Sequence, residues 1–530
     1  MIFNKKIKVF FLLLLFIILG ILIYISIITT NYRSAKEVFL TQDEITNLMS
    51  NLREETEYNF EIKINKNPIY NNNVEKVNYF YISEENANNY LDLDLKIRSK
   101  EKFKYVILDE KYDKEKGFYI DFLKPIDFII FNDEVYYKKT IKFTCLPIVN
   151  LIVGEEINAD DHAAIVEIYS KDYNNENIIH SVVSQTLVKV RGGTSFLYPK
   201  KQYRLKLRAN DGKANEISLL GMDADEDWIL DAMYADNSKI RNKLSFEIWN
   251  EMLATCKNND STDYYAEYVD VYINQEYNGI YMLKEVIDWK KLGLDKTNEN
   301  GSGMLIKGIT YDTISEETYD VAKQSKILLP FEVEYPKLQE DYSKYWDNII
   351  PRISTNFFDR KNITEEYLLE EFDIYNYNDY KLLINFICAA DNYVQKNALL
   401  SLKNLYDDTK VIFTPWDLDM TYGYAWGDNT DTHIYEDSGK INQMYDLWIE
   451  SDLINNLLIE RYKELRNDVF NMNNINEKID SYYNQIKYSA SRDSEKWTEI
   501  DLEEEVNKIR TWMEKRIELL DNEILRWKNV

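Results

Sequence analysis

Two acidic motifs joined by a predicted β-hairpin constrain the fold of this chain more than any other feature of its sequence. The first motif, DNYVQKN, occupies residues 391–397, and the second, PWDLDMTYG, occupies residues 415–423. Between them, the apolar run 398–402 and the β-branched run 411–414 flank a turn signal at Asp407-Asp408, a pattern typical of two antiparallel strands. Since such strands lie side by side, we expect the two motifs to meet at one end of the hairpin.

Carboxylates in this order are typical of sites that transfer phosphoryl groups. In kinase-like folds, one Asp faces the attacking hydroxyl, an Asn shortly after it helps to hold a metal, and a later Asp beyond a short hairpin holds the metal of the nucleotide. Such transfer needs alignment and neutralisation of charge more than covalent participation of the protein. The pattern therefore makes Asp391, Asn397 and Asp417 candidates for one site.

The charge of the chain argues against a nucleic-acid partner. Its 530 residues include 91 Asp and Glu against 64 Lys and Arg, a formal net charge of −27, whereas nucleic-acid binding requires a basic face. An acidic surface suits a basic protein substrate or bound cations, besides keeping the chain soluble. The three cysteines are widely spaced without a CxxC motif, and only three histidines occur, so neither a disulfide framework nor a zinc site is expected.

An apolar run near the N-terminus predicts a membrane anchor. Residues 9–28 are apolar apart from Gly20, Tyr24 and Ser26, and the run is long enough to cross a bilayer as a helix. Three lysines precede it, which predicts a cytoplasmic N-terminus and an exported remainder. The alternative is a cleaved signal peptide, but its apolar region is usually about 7–15 residues long and ends at a small-x-small site, which residues 29–32 do not offer.

The remaining sequence predicts a mixture of strands and helices. Recurring aromatic and β-branched runs over residues 46–144 indicate a small β-rich or mixed module. Periodicity predicts a helix after Asp236, helical structure over 363–390 and a helical tail over 451–530, whereas the polar residues 295–330 predict a loop or insertion. The buried stripe predicted for the helix after Asp236 consists of Ile240, Leu244, Ile248 and Met252.

A strand with one basic face precedes that helix. Over residues 200–207, period-2 alternation places apolar side chains on one face and polar side chains on the other. The two sets are Tyr203, Leu205 and Leu207, and Gln202, Arg204 and Lys206. A strand lysine that points away from the core can reach a phosphate, as the strand lysine of kinases does. The alternative for this segment taken alone is an edge strand with a solvated basic face.

Taken together, these segments resemble the CotH family of spore-coat-type protein kinases, an atypical branch of the kinase-like fold. The matching stretches are Arg191-Gly192 with residues 200–207, residues 219–230, Asp236-x-Ser238-x-x-Arg241-Asn242, residues 278–285, residues 391–397 and residues 415–423. They follow the order of the family and cover residues 145–525. The resemblance implies ATP-dependent phosphorylation of Ser or Thr in a protein, with Mg²⁺ or Mn²⁺ as the divalent cation.

The resemblance also implies roles for the acidic motifs. Asp391 would orient and deprotonate the substrate hydroxyl, while Asp417 and Asp419 would hold the metal, with Asn397 as the second metal ligand. In an extended segment, Asp417 and Asp419 would point the same way. Asn397 stands six residues after Asp391, instead of the five usual in kinases, so Asn392 remains a competing ligand.

On the nucleotide side, the resemblance implies that Lys206 contacts the phosphates and that Glu285 holds this lysine in place, with Glu247 as an alternative partner. Arg191 and Gly192 open a turn whose backbone N–H groups would cover the phosphates. Since family members act on basic, Ser-rich coat proteins, a substrate of that kind is the expected partner, and no nucleic acid is expected.

The expected fold is α+β: an atypical protein-kinase-like fold with a helical C-terminal part, preceded by a small β-rich module and a transmembrane helix. The predicted boundaries are 1–30 for a cytoplasmic stub and anchor, 31–45 for a tether, 46–144 for the module and 145–530 for the kinase domain. Within that domain, the nucleotide-binding lobe spans 145–290, the catalytic lobe 340–450 and the helical tail 451–530.

Two functions of different classes follow. The first is an exported, membrane-anchored protein kinase at a cell or forespore surface, which the retained acidic residues favour. The second is a catalytically silent surface protein, an adhesin or scaffold, that keeps the fold for binding. A third hypothesis is transfer of a nucleotidyl group or phosphorylation of a small molecule, since both reactions need similar metal- and phosphate-binding residues.

Overall fold

A computed structural model gives the structure of most of the chain. It describes residues 33–58, 60–173, 175–256, 262–297, 302–310, 322–338, 341–357, 364–392, 396–407, 409–425, 428–429 and 451–527. The predicted membrane segment at 9–28, the first two residues of the predicted tether and residues 393–395 of the first acidic motif lie outside these ranges. Among the described helices, none is both long and apolar enough to span a bilayer.

Helices and strands are mixed along the described chain, as an α+β fold requires, and the chain divides into two units. The first unit comprises the chain up to Ile152 with Ile165–Val183 and Asp270–Asn278, and the second comprises Val153–Ala164, Ser184–Val269 and the chain from Gly279 onward. The predicted boundaries of tether, module and lobes stay predictions.

The first unit is rich in short strands and contains one described helix, α1 (Gln42–Asn51), which begins with a capping box between Thr41 and Glu44. Its strands are β1 (Arg33–Ser34), β2 (Lys36–Glu37), β3 (Arg53–Glu54), β4 (Phe60–Ile64), β5 (Asn67–Pro68), β6 (Tyr70–Asn72), β7 (Val77–Tyr81), β8 (Tyr90–Leu91), β9 (Leu95–Ser99), β10 (Lys104–Ile107), β11 (Phe118–Tyr119), β12 (Ile126–Phe131) and β13 (Val135–Thr144). They form sheets in the orders β1-β9-β4-β5, β2-β10-β12-β13-β7-β6 and β11-β8. Helix α1 packs through Ile45 on a core of Val106, Ile129, Phe131 and Tyr136.

Seven longer strands follow. They are β14 (Ile148–Val153), β15 (His162–Asp172), β16 (Asn175–Arg191), β17 (Gln202–Arg208), β18 (Asp227–Asp231), β19 (Ala266–Ile273) and β20 (Glu276–Glu285). Within the second unit, β16, β17, β18 and β20 pair antiparallel in that order. The alternation predicted for β17 is confirmed, since Tyr203, Leu205 and Leu207 are buried while the residues between them are partly exposed.

A further sheet of the second unit carries the hairpin between the acidic motifs. Its strands are β21 (Met304–Ile309), β22 (Ile327–Leu328), β23 (Phe331–Tyr335), β24 (Lys396–Leu402) and β25 (Ile412–Pro415), in the order β22-β23-β21-β24-β25, and β26 (Tyr424–Ala425) pairs separately with β27 (Asp428–Asn429). The predicted hairpin is confirmed, because β24 and β25 run antiparallel with Ala398 opposite Pro415. The loop predicted over 295–330 is wrong in part, because the apolar run of β21 forms the middle of this sheet.

The helices of the second unit support the hairpin and its flanking loops. They are α2 (Arg241–Thr255), α3 (Ser343–Phe357), α4 (Glu365–Glu371), α5 (Ile374–Ile387), α6 (Asp452–Asn467), α7 (Met472–Lys496) and α8 (Leu502–Trp527). The stripe predicted for α2 is confirmed, since its members Ile240, Leu244, Ile248 and Met252 are fully buried. Helix α5 contacts α2, α6, α8 and β25, so the chain reaches the first acidic motif from the centre of the helical part.

Candidate active site

Asp391 lies just beyond the end of helix α5. The helix ends at Cys388, which adopts a left-handed backbone with φ of +47°, and the chain then turns towards β24. The Asn397 side-chain amide donates a 2.8 Å hydrogen bond to Asp391 Oδ2. Asn397 is itself buried and left-handed, with φ of +55°, a conformation that Asn tolerates better than most residues. The predicted partners Asp391 and Asn397 are therefore in direct contact.

Asn392 joins the two acidic motifs. Its side-chain amide donates to the carbonyl oxygens of Asn397 at 3.0 Å and of Trp416 at 2.7 Å. Nearby, the backbone N–H of Ala390 donates to the carbonyl of Met420 at 2.9 Å. These bonds hold the loop of Asp391 against the loop that follows β25, as the hairpin predicts.

The second motif leaves the strand immediately after Pro415. Asp417 has φ of +59°, a left-handed conformation that costs energy for most residues other than Gly and that Asp tolerates better than most. The expectation of an extended segment is therefore wrong, and a shared direction of Asp417 and Asp419 does not follow from strand geometry. Burial and the charge of Asp417, two residues away in the sequence, raise the pKa of Asp419 well above its usual range.

Asp391 and Asp417 belong to the same electrostatic environment. Burial raises the pKa of Asp391 to about 6, with a further upward contribution from the charge of Asp417, whereas Lys396 and the hydrogen bond from Asn397 act in the opposite direction. The structure thus brings together the predicted residues Asp391, Asn397, Asp417 and Asp419.

This acidic group fits a divalent cation bound together with phosphates. Within the described residues, no group of three or more His, Cys, Asp or Glu side chains could hold a metal ion. Mg²⁺ in nucleotide sites typically takes only one or two protein carboxylates and completes its shell with phosphate oxygens and water. Asp417 and Asp419 supply two such carboxylates, whose mutual repulsion a cation would relieve. The Oδ1 atom of Asn392 is buried and accepts no hydrogen bond from the described residues, so it could serve as a metal ligand, whereas the Asn397 amide donates to Asp391.

Glu285 does not support Lys206. In the register of β17, β18 and β20, Lys206 lies opposite Asp227, whereas Glu285 lies opposite Trp228. Because adjacent positions of a strand face opposite sides of the sheet, Lys206 and Glu285 point in opposite directions. Glu285 instead pairs with Lys291 at 3.0 Å, and the predicted Lys206–Glu285 pair is wrong.

The charged neighbours of Lys206 lie on β17 and β18. Burial and the charge of Arg204 lower its pKa, and Asp227 opposes them. The other predicted partner, Glu247, lies on helix α2. Among the described residues, no hydrogen bond or ion pair joins Lys206 to Asp417 or Asp419, so its predicted role as a phosphate ligand has no geometric support beyond its place on the polar face of β17.

Two other lysines lie beside the second motif. The Nζ atom of Lys284, on β20, is 2.6 Å from Asp231 Oδ2 and 5.6 Å from the centre of the Trp416 ring. On β21, Lys307 Nζ is 5.3 Å from the same ring. Sequence reasoning missed both residues. Lys284 precedes the Glu that the family pattern emphasises, and Lys307 lies in the segment assigned to a loop, although the run Met304–Ile309 has the apolar character of a strand.

The turn at Arg191 and Gly192 ends close to the acidic residues. Gly192 has φ of +113°, a left-handed conformation that favours glycine, and a Cβ there would overlap the hydroxyl of Ser195 in the 3₁₀ turn Thr194–Leu197. Burial raises the pKa of Tyr198, the next residue, and Asp419 and Asp417 raise it further. The turn therefore lies where a group bound at these carboxylates could meet it.

Helix α2 supports the loop of the second motif. Asp236 accepts a hydrogen bond from the backbone N–H of Arg241 at 2.9 Å and forms a fully buried 2.5 Å ion pair with the guanidinium of Arg241. The Nε atom of Arg241 donates to the Thr421 carbonyl at 3.2 Å, and Asn242 Oδ1 accepts from Leu418 N at 3.3 Å. The family-pattern residues Asp236, Arg241 and Asn242 thus hold the Asp417 loop in place.

Comparison with known proteins agrees with this architecture. The family model described as CotH kinase protein matches residues 188–520, more than half of the chain. The fold is of the mixed α+β class, and the chain belongs to the CotH family. A search of curated proteins finds no match.

Proposed function

We propose that this protein is a kinase that transfers the γ-phosphoryl group of ATP to Ser or Thr of a protein. The observation that carries the proposal is the pair of hydrogen bonds by which the Asn392 side chain, next to Asp391, holds the carbonyls of Asn397 and of Trp416, the neighbour of Asp417. Membership of the CotH kinase family supports it. Two carboxylates with different surroundings suit the two tasks of phosphoryl transfer, orientation of the hydroxyl and retention of the metal.

Each residue has a part in this reaction. A divalent cation, Mg²⁺ or Mn²⁺, would neutralise charge on the phosphates, and Asp417 and Asp419 would hold it. Asp391 accepts the proton of the substrate hydroxyl, and the hydrogen bond from Asn397 fixes the direction of its carboxylate. A pKa near 6 leaves Asp391 ionised at neutral pH while making it a better base than an exposed carboxylate.

The substrate and the location form part of the same proposal. The net charge of −27 suits a basic substrate, and a basic, Ser-rich coat or surface protein has the required hydroxyl groups. The apolar run 9–28 would anchor the chain with its N-terminus in the cytoplasm, so that the kinase faces a compartment outside the cytoplasm. Such a compartment must supply ATP, as the space around a developing spore would.

The test is transfer of label from ATP by the full-length chain with Mg²⁺ or Mn²⁺. ATP labelled at the γ-phosphate and ATP labelled at the α-phosphate are compared, with a basic Ser-rich protein as acceptor. The proposal predicts γ-label on Ser or Thr, no α-label, and loss of transfer in Asp391→Asn and Asp417→Asn. Transfer of α-label would identify a nucleotidyl transferase. Full activity in both variants would exclude these roles, and absence of nucleotide binding would leave the adhesin reading.

A further inference from the structure

The surroundings of Trp416 indicate which basic side chains could bind the nucleotide phosphates. This residue lies between Pro415 and Asp417 and is 9% exposed. Two ammonium groups from different sheets approach its ring, Lys284 from β20 and Lys307 from β21, at 5.6 and 5.3 Å from the ring centre. Both positive charges therefore lie next to the predicted metal ligand.

Within the described residues, the ammonium group of Lys307 forms no direct ion pair. It is only partly exposed, and burial lowers its pKa, whereas Asp417 and Glu334 act against this effect. Within the described part of the chain, no hydrogen bond or ion pair is formed by its ammonium group, which has Trp416 as its contact. A half-buried cation without an anionic partner is costly, and a bound anion would supply the missing partner.

Lys284 differs because it is held in position. Its 2.6 Å ion pair with Asp231 is almost fully buried, and Asn242 donates to the same Asp231 oxygen at 3.5 Å. The charge of Lys284 also opposes the upward pKa shift of Asp419. Among the described residues, Asp231 is the only hydrogen-bond acceptor of this ammonium group, so two of its three donor positions remain for a ligand.

The polar face of the β16–β17–β18–β20 sheet explains why Lys284 qualifies and Lys206 does not. Asp231 and Lys284 lie on the same face as Lys206. However, Lys206 pairs in register with Asp227 at one end of β18, whereas Asp231 is at the other end. Arg191, whose charge acts on both Asp231 and Lys307, belongs to the latter end.

We propose that Lys284 and Lys307, and not Lys206, contact the phosphates of the bound nucleotide beside Trp416. The inference rests on the proposed function, since it assigns phosphate contacts within the same site. An ammonium group acts as a point charge with three donors and binds phosphate oxygens without a fixed geometry. Two such groups beside Asp417 would place the phosphates against the metal that this residue holds.

The test is equilibrium binding by the full-length chain, with Mg·ATP and AMP as probes. Lys307→Met should weaken Mg·ATP binding by about tenfold, the loss expected for one charged hydrogen bond, and should change AMP binding by less than about twofold. The double variant Lys284→Met with Asp231→Asn removes the buried pair as a whole and should show the same selectivity. Lys206→Met is the matched control and should leave both affinities unchanged.

Lys307→Arg keeps the positive charge and should therefore retain most of the Mg·ATP affinity. Melting curves verify that each variant is folded.

Three results would overturn the inference. They are unchanged Mg·ATP affinity in Lys307→Met, equal losses for Mg·ATP and AMP, and a loss in Lys206→Met as large as in Lys307→Met. The proposed function fails separately, because a wild-type chain that binds Mg·ATP without transferring phosphate would still report on the lysines through binding. A wild-type chain that does not bind Mg·ATP would overturn both.

Discussion

The side-chain amide of Asn392 donates a 2.7 Å hydrogen bond to the carbonyl oxygen of Trp416. Since Asn392 follows Asp391 and Trp416 precedes Asp417, this bond connects the two carboxylates through their chain neighbours. The second amide hydrogen donates to the carbonyl of Asn397, so a single side chain holds three segments of the candidate site.

Replacement of Asn392 by Ala should therefore harm both stability and activity. The buried carbonyls of Asn397 and Trp416 would lose their donor, at a cost of about 2 kcal/mol in the free energy of unfolding. Misplacement of the two carboxylates should lower kcat by about a hundredfold. Urea unfolding and phosphate transfer measure the two effects, with the exposed Asn473→Ala on helix α7 as the control. Unchanged kcat in Asn392→Ala would contradict the role given to this residue.

The raised pKa of Asp391 predicts an acid limb in the activity profile. A base must be unprotonated to accept the proton of the hydroxyl, so kcat/KM should decline below a pH of about 6, by roughly tenfold per pH unit. A limb near pH 4 would show that Asp391 behaves as an exposed carboxylate.

The same raised pKa predicts how the stability of the fold depends on pH. An Asp whose pKa is lowered in the fold stabilises the protein at high pH, whereas Asp391, whose pKa is raised, does so at low pH. The folded-state value of about 6 lies above the ordinary value of 3.8, so the folded chain binds the proton more tightly, and this contribution to stability is lost as the pH rises through that window. Asp391→Asn should therefore be more stable than wild type above pH 6, with the difference disappearing below about pH 4. Urea unfolding at several pH values measures this. A variant less stable than wild type at pH 7 would contradict the prediction.

The carboxylate pair predicts stabilisation by divalent cations. Mg²⁺ or Mn²⁺ that binds at Asp417 and Asp419 should raise the melting temperature, corresponding to about 2.7 kcal/mol when the metal is at a hundred times its Kd. Asp419→Asn should be more stable than wild type without metal, because it removes a carboxylate whose pKa burial and Asp417 raise, and it should respond little to metal. Asp407→Asn, at the exposed turn of the same hairpin, is the control. An equal metal response in Asp419→Asn and wild type would argue against this site.

A buried ion pair connects helix α7 to the chain around β17 and β20. Lys200 Nζ is 2.5 Å from Asp493 Oδ1, and the same oxygen accepts from Ile280 N at 3.0 Å. Gly279 permits this approach, because a Cβ there would overlap Asp493. Asp493→Asn would leave a buried lysine without its anion, at a cost of about 3 kcal/mol. The control is Asp480→Asn, because Asp480 lies on the same helix as Asp493 and its exposed carboxylate pairs with Arg510 of helix α8; this substitution should cost less than about 1 kcal/mol. Similar unfolding midpoints for the two variants would refute the importance of the buried pair.

The parts of the site that the sequence could predict are those set by local periodicity. Alternation along β17 and the four-residue steps of α2 depend on which face meets the core, and both were correct. The hairpin was correct as well, because its two apolar runs flank residues that favour a turn. Because paired strands bring the start of β24 beside the end of β25, the proximity of Asp391 to the second motif could be predicted from the hairpin.

The parts that could not be predicted depend on register and backbone irregularity. The pairing of Glu285 with Lys206 comes from the family resemblance, but a shift of one position between strands decides the face, and one sequence does not contain that register. Asp417 departs from the strand through a left-handed backbone that its own sequence does not demand. Lys307 was hidden in a polar segment whose central strand forms through pairing with the distant β24.

The most direct test of the account is a crystal structure with Mn²⁺ and a non-hydrolysable ATP analogue, in which anomalous scattering locates the metal. The account predicts an Mn²⁺ peak within coordination distance of the Asp417 carboxylate and of the phosphates, with the Asp391 carboxylate facing the γ-phosphorus. Nucleotide and metal bound elsewhere, with no phosphate near Asp391 and Asp417, would contradict it.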